Sequence, residues 1–215
     1  MPSAARVTDL TSHGVPLSPG PGSPTVFIGG LPAWRALPAG VGGAVEGASN
    51  AMQSFMGQPV LTPANASAQL ARIQSGFMQA AGAAAAQGNP AGLTAASGAL
   101  ATITTTNSAL TAAWAAASAV PGGMPAANIA YTEGIKGALA ASAASVFSAI
   151  AGMADTHVCP VPCPVPPHGP GMVTKGSGTV MINGLSAVRQ GDTVFEAAGG
   201  PDAIATGCPT VMMGD

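Results

Sequence analysis

The sequence predicts an α+β fold, a small β unit split by a long helical insertion, and two observations predict it. The first is a shift in composition near residues 38 and 156: both flanks are rich in Gly, Pro and β-branched residues, whereas the middle is rich in Ala, Ser and Thr. The second is a repeat shared by the flanks. "GSPTVFIGGLPAWR" at 22–35 returns as "GSGTVMINGLSAVR" at 176–189 and, shortened, as "GCPTVMMGD" at 207–215. The division that follows is 1–38 for the N-terminal part of the β unit, 39–155 for the insertion and 156–215 for the C-terminal part.

Each repeat reads as a glycine turn, a short strand of alternating sidedness (Thr-Val-x-Ile/Met) and a second turn. Units this short cannot bury a face singly, so the copies are expected to pack on one another. A second element accompanies the strand: "AARVTD" at 4–9 matches "AVRQGD" at 187–192, an Arg-x-x-Asp ahead of a glycine turn. The middle counterpart, "AWRALP", keeps Arg35 but has Pro38 where the aspartate belongs. An aspartate reappears at Asp155, where the alanine-rich region ends.

Inside the insertion, Asn65 is expected to cap a helix running to about Gln87, and Asn89-Pro90 to supply a cap and a first-turn proline for one running to about Ala119. "PGGMP" at 121–125 breaks the chain before a helix from about 126 to 154, and a shorter helix is expected over 43–56. Four traverses return the chain to one β unit. Ala96, Leu100, Ile103, Asn107, Leu110, Trp114 and Ala117 alternate steps of four and three, a heptad seam with one polar position. Ile135, Leu139, Val146, Ile150 and Met153 form a similar stripe.

Charge is scarce: 7% of the 215 residues are charged, against about 25% in ordinary globular chains, and the net charge is −2. Nucleic acid, which would call for a basic stripe, is not an expected partner. No charge falls between Ile73 and Thr132, so membrane insertion of the helices is a fair alternative. Stripes of apolar residues and many Gln, Asn, Ser and Thr favour packed helices in water instead. The opening residues lack a basic and apolar leader, so a chain made in the cytoplasm without a signal peptide is expected.

Three histidines and three cysteines stand in suggestive places. "HVCPVPCPVPPHGPG" at 157–171 holds two of each, on a proline-rich backbone that forbids helix and keeps His157 and Cys159 on one side. His13 precedes Gly22 much as His168 precedes Gly176, and the third unit has Gly199 in that place. Units arranged about a pseudo-threefold axis would bring such positions together. His13, His157, Cys159 and His168 are therefore the candidate ligands of a closed tetrahedral zinc site. Cys163 is the alternative to Cys159, and Cys208, which aligns with Ser23 and Ser177, reads as a small turn or core residue. Iron is the alternative metal. Glu46, Glu133, Glu196 and Asp202 belong to no recognisable constellation and read as solvated surface. Without a carboxylate in the proline-rich segment to act as general base, a non-enzymatic protein is expected and a zinc hydrolase is the weaker alternative.

These motifs resemble the PAAR-repeat proteins that tip type VI secretion and related contractile injection spikes. Residues 157–215 carry the resemblance through "PHGPG", "GSGTVMINGLSAVRQGD" and "GCPTVMMGD", and "AARVTDLTSH" is similar to the prePAAR motif. The resemblance implies a cone of β-hairpins, a zinc site taking His13 with His157, Cys159 and His168, and docking on a trimeric VgrG-type spike protein. It also implies delivery outside the cell or into a target cell. Toxin cargo, an Eag-type chaperone or a membrane would meet the helices. The first strand unit precedes the helices, so the expectation is a PAAR domain split by an insert. No toxin domain follows Asp215, which suits a free-standing tip or the remaining part of a longer effector.

Overall fold

The computed structural model describes residues 1–162 and 167–214 and is an α+β structure. Four strands precede the helices: β1 (Ser3–Ala4), β2 (Pro19–Gly20), β3 (Phe27–Ile28) and β4 (Leu31–Pro32). The helices are α1 (Ala39–Met56), α2 (Pro63–Ala86), α3 (Ala91–Ser118) and α4 (Met124–Ile150), the last followed by a 3-10 turn at Ala151–Met153. Seven strands follow: β5 (Thr156–Pro162), β6 (Pro167–Val173), β7 (Met181–Ile182), β8 (Leu185–Ser186), β9 (Thr193–Glu196), β10 (Pro201–Ala203) and β11 (Cys208–Met212).

Each helix packs on the next, and α4 closes the bundle by touching α1 and α2. Phe55, Ile73, Phe77, Ile103, Ile135, Leu139 and Phe147 fill its centre. The first helix starts four residues before the expected position, because Leu37 and Val41 are drawn into that core. Thr62, not Asn65, caps α2: its hydroxyl accepts from the Asn65 N–H, and Asn65 Oδ1 accepts from the Thr62 N–H at 2.8 Å in a reciprocal capping box. Asn89 does not cap α3 either; helix begins after Pro90, and Asn89 Nδ2 donates to the Ala149 carbonyl of α4 at 2.9 Å. The predicted seam of α3 packs inward as far as Trp114, while Ala117 is exposed. Its outer half is joined to α4 by polar contacts, Tyr131 Oη to Asn107 Oδ1 at 2.6 Å and Trp114 Nε1 to Asn128 Oδ1 at 2.7 Å.

The β part is organised about an approximate threefold axis. Ala5 N donates to Val188 O at 2.9 Å, Val188 N to Trp34 O at 3.1 Å and Trp34 N to Ala5 O at 3.0 Å, a closed ring of backbone hydrogen bonds. An arginine follows each of the three residues, and each arginine grips an aspartate in the same way. Backbone N and side-chain Nε donate to one carboxylate oxygen, and Nη2 donates to the other, in Arg6–Asp9, Arg35–Asp155 and Arg189–Asp192. Asp155 therefore takes the place that Pro38 leaves vacant in the middle unit: the helical insertion lies between an arginine and its own aspartate.

Three hairpins stand on this ring. β3 pairs with β4, β7 with β8, and β11 with β1, all antiparallel. The third repeat looked shortened because its two halves lie at opposite ends of the sequence; β11 (Cys208–Met212) supplies the first strand and β1 (Ser3–Ala4) the second. Ile28, Ile182 and Met213 occupy equivalent positions beneath the hairpins and form one apolar cluster with Ala4, Ala33 and Ala187. On the other side of the ring lies a five-stranded antiparallel sheet in the order β10-β9-β6-β5-β2. Met172 and Ala197 of this part reach into the helical core. Gly42 of α1 lies so close to β6 that a Cβ there would sit 2.0 Å from the Thr174 carbonyl oxygen.

Candidate metal centre

The site is assembled from four pieces of chain. Strand alternation in β5 points Val158 outward and buries His157 and Cys159 on one side. Its partner β6 carries His168, which is also buried. The loop bearing His13 is held by a Thr11–Ile204 bridge and by Ser12 N donating to Ala203 O at 2.7 Å, with Gly14 in the left-handed region at φ +73°. Finally, β9 ends in Glu196 and β10 carries Asp202, both fully buried.

His13, Cys159, His168 and Glu196 place their ligating atoms within 4.8 Å of one another and could hold a metal ion. Cys159 Sγ lies 3.6 Å from His13 Nδ1 and 3.7 Å from His168 Nδ1. Glu196 Oε1 is 3.5 Å from His13 Nδ1, and Glu196 Oε2 is hydrogen-bonded to His168 Nδ1 at 2.5 Å. The His13 and His168 rings meet edge to face with centroids 5.0 Å apart. These two histidines, equivalent in the repeat, thus offer the same nitrogen to the same sulfur.

His157 joins a second group, with Glu196 and Asp202. Its Nδ1 is 2.9 Å from the Pro16 carbonyl, which can only accept, so the proton sits on Nδ1 and Nε2 presents a lone pair. That Nε2 faces Glu196 Oε1 at 3.6 Å. Asp202 steadies His13: Oδ1 accepts from Ser12 Oγ at 2.5 Å and from the His13 N–H at 3.2 Å, while Oδ2 lies 3.2 Å from His13 Nδ1. Burial pushes the Cys159 thiol up to about 12, with the neighbouring Glu196 adding to the rise. A cation binding there must therefore displace a proton.

Of the expected ligands, His13, Cys159 and His168 converge in one group, and His157 stands in the adjoining one. Cys163 lies outside the described residues. Cys208 is buried in the apolar cluster beneath the hairpins. The expectation that Glu196 and Asp202 are solvated surface is overturned, since neither exposes any area; Glu133 is exposed and Glu46 partly so. The repeat held a signal for them. They flank Gly199, the third-unit counterpart of His13 and His168, by three residues on either side. Gly199 is needed there for space, because a Cβ would lie 2.3 Å from His168 Cγ and 2.5 Å from Glu196 Oε2.

No protein-family model, curated protein or solved structure matches the chain.

Proposed function

We propose that this protein is the metal-stabilised tip of a type VI or related contractile injection spike, a PAAR-type β unit that docks on a trimeric VgrG-type protein and carries its helices as a platform for cargo, a chaperone or a membrane. One observation carries the reading. Phe27, Met181 and Met212 hold the same position in three hairpins about the ring and are 59%, 57% and 50% exposed. Large apolar side chains displayed by threefold repetition suit a threefold partner, since each can enter an equivalent pocket. The test is copurification with a VgrG-type spike trimer from the same organism. The native chain should be retained and a Phe27→Asp, Met181→Asp, Met212→Asp variant lost; equal retention of both overturns the docking surface.

Zinc suits the first ligand group. A tetrahedral ion with Zn–N of about 2.05 Å and Zn–S of about 2.3 Å sets nitrogen and sulfur about 3.6 Å apart, and the two sulfur–nitrogen distances are 3.6 and 3.7 Å. Glu196 would supply the fourth ligand. The 2.5 Å contact of its Oε2 with His168 Nδ1 is a hydrogen bond, whose proton a bound ion would replace. Its role would be structural: it would tie residue 13 to residues 159–196 across the whole insertion. Metal analysis of the purified chain tests this, and zinc-free protein of unchanged stability overturns it.

A second reading, a membrane-active effector portion that uses its β unit only as a loading adaptor, is favoured by one observation. The segment Met124–Met153 is long and apolar enough to cross a bilayer, and 44% of its most apolar stretch is buried. Dye release from liposomes by the native chain would favour this reading over the first; intact vesicles would favour the tip.

A further inference from the structure

Two of the three Arg–Asp grips close within a single turn of chain. Asp9 N donates to Arg6 O and Asp192 N to Arg189 O, each at 3.1 Å, and the residue before each aspartate is left-handed, Thr8 at φ +74° and Gly191 at φ +89°. The middle unit makes the same turn without the same chain. Asp155 N donates to Arg35 O at 3.3 Å although the two residues are 120 positions apart, and the side-chain contacts of the grip are repeated in full. The whole bundle thus stands between Leu37 and Asp155, where the other units have one peptide bond. Asp155 also accepts from the Gly22 N–H at 2.8 Å, and Arg35 Nη2 donates to the Gly22 carbonyl at 2.9 Å, so this turn holds the approach to β3 as well.

Closing the middle turn is the harder task. Chain entropy makes a loop of this length on the order of 10²-fold less easily closed than a four-residue turn. A folded bundle removes that cost. Its four traverses return α4 to the end where α1 starts, and Pro38, Asn89 and Ala149 line one cavity there. Leu37 and Ala154, the residues at the two exits, are both buried in the bundle core, which brings Arg35 and Asp155 together as neighbours. Met172 and Ala197 of the β part lean on the same core. We propose that the middle turn is an ordering device: the β unit, with its ring and hairpins, closes only on a folded bundle, whereas the bundle stands without the β unit. The dependence runs one way because each helix packs on the next in sequence, while the ring joins Ala5, Trp34 and Val188 across the chain. If the hairpins are the docking face proposed above, a chain with unfolded helices displays none. The order itself rests neither on that reading nor on a metal.

Pulsed hydrogen exchange of the full chain across a urea series tests it, read by mass spectrometry on peptides holding Ala5, Trp34 and Val188 and on the helices. In the native chain, ring protection should be lost at or below the urea concentration that removes the helices. Ile73→Asp and Ile135→Asp place a charge at fully buried core positions of α2 and α4. Each should bring the ring midpoint down with the helical one, and a variant that has lost its helices without urea should exchange its ring about tenfold faster or more. Asp192→Ala, which breaks a local grip, should lower the ring midpoint and leave the helical midpoint in place. A ring that stays protected where the helices are gone, in the native chain or in either core variant, overturns the order. So does a helical midpoint that falls with the ring in Asp192→Ala, since the dependence then has no direction.

Discussion

The helical and β regions are held together by different physics. The bundle of α1 to α4 relies on apolar burial among neighbours in sequence, around Phe55, Phe77, Ile135 and Phe147, and such packing is local and tolerant. The β unit has short strands and small apolar clusters. Its cohesion comes from polar ties: the Ala5–Trp34–Val188 ring, the Arg35–Asp155 grip and the convergence of His13, Cys159, His168 and Glu196 join distant residues, while the Arg6–Asp9 and Arg189–Asp192 grips close local turns. The lesson is that a region with little core can be specified by a few long-range polar contacts. It is then exposed to their loss in a way that the bundle is not.

Removing the proposed ion should separate the two regions most sharply. A strong chelator is expected to cost the β unit on the order of 10 kcal/mol of apparent stability while the bundle keeps its helical circular dichroism; a single transition lost as a whole would break the contrast. Phe77→Ala should do the reverse. Emptying that fully buried position should cost about 3–5 kcal/mol in the helical transition, with metal content unchanged by elemental analysis. Asp155→Ala acts on the joint between them. It removes a fully buried carboxylate that accepts from Arg35 and from the Gly22 N–H, and should cost about 3 kcal/mol, read as a lower Tm of the β unit. Gly199→Ala should weaken metal binding by roughly 10–100-fold in competition titrations, because the new Cβ displaces His168, with the helices untouched. The smallest effect should come from Thr62→Ala, about 1 kcal/mol from the lost cap of α2, visible in the helical transition alone.

Much of this contrast was legible in sequence because it is periodic or repeated. Heptad spacing announced the inward face of α3 through Trp114, and the repeated strand announced the hairpins. Repeat alignment also placed His13 against His168 before any contact was known. What escaped had no local signature. Thr62 became the cap because its hydroxyl and Asn65 serve each other, a reciprocity that choosing one residue overlooks. Glu196 and Asp202 looked like isolated surface acids; only the pairing of β9 with β6 and β10 carries them to the histidines.

Sequence alone determined the α+β class, the four helices and the recurrence of Arg-x-x-Asp, since each depends on spacing within a few turns of chain. Tertiary structure decided which aspartate serves Arg35, how the two ends combine into one hairpin unit, and which histidine, cysteine and acidic side chains gather where a metal ion could be held. The reason is distance along the chain. Asp155 is separated from Arg35 by the whole insertion, and Cys208 from Ala4 by nearly the whole protein, yet both pairs close at contact range. Local propensity carries no information about such closures. They are selected when three similar units pack around one axis and bury the polar atoms that only their partners can satisfy.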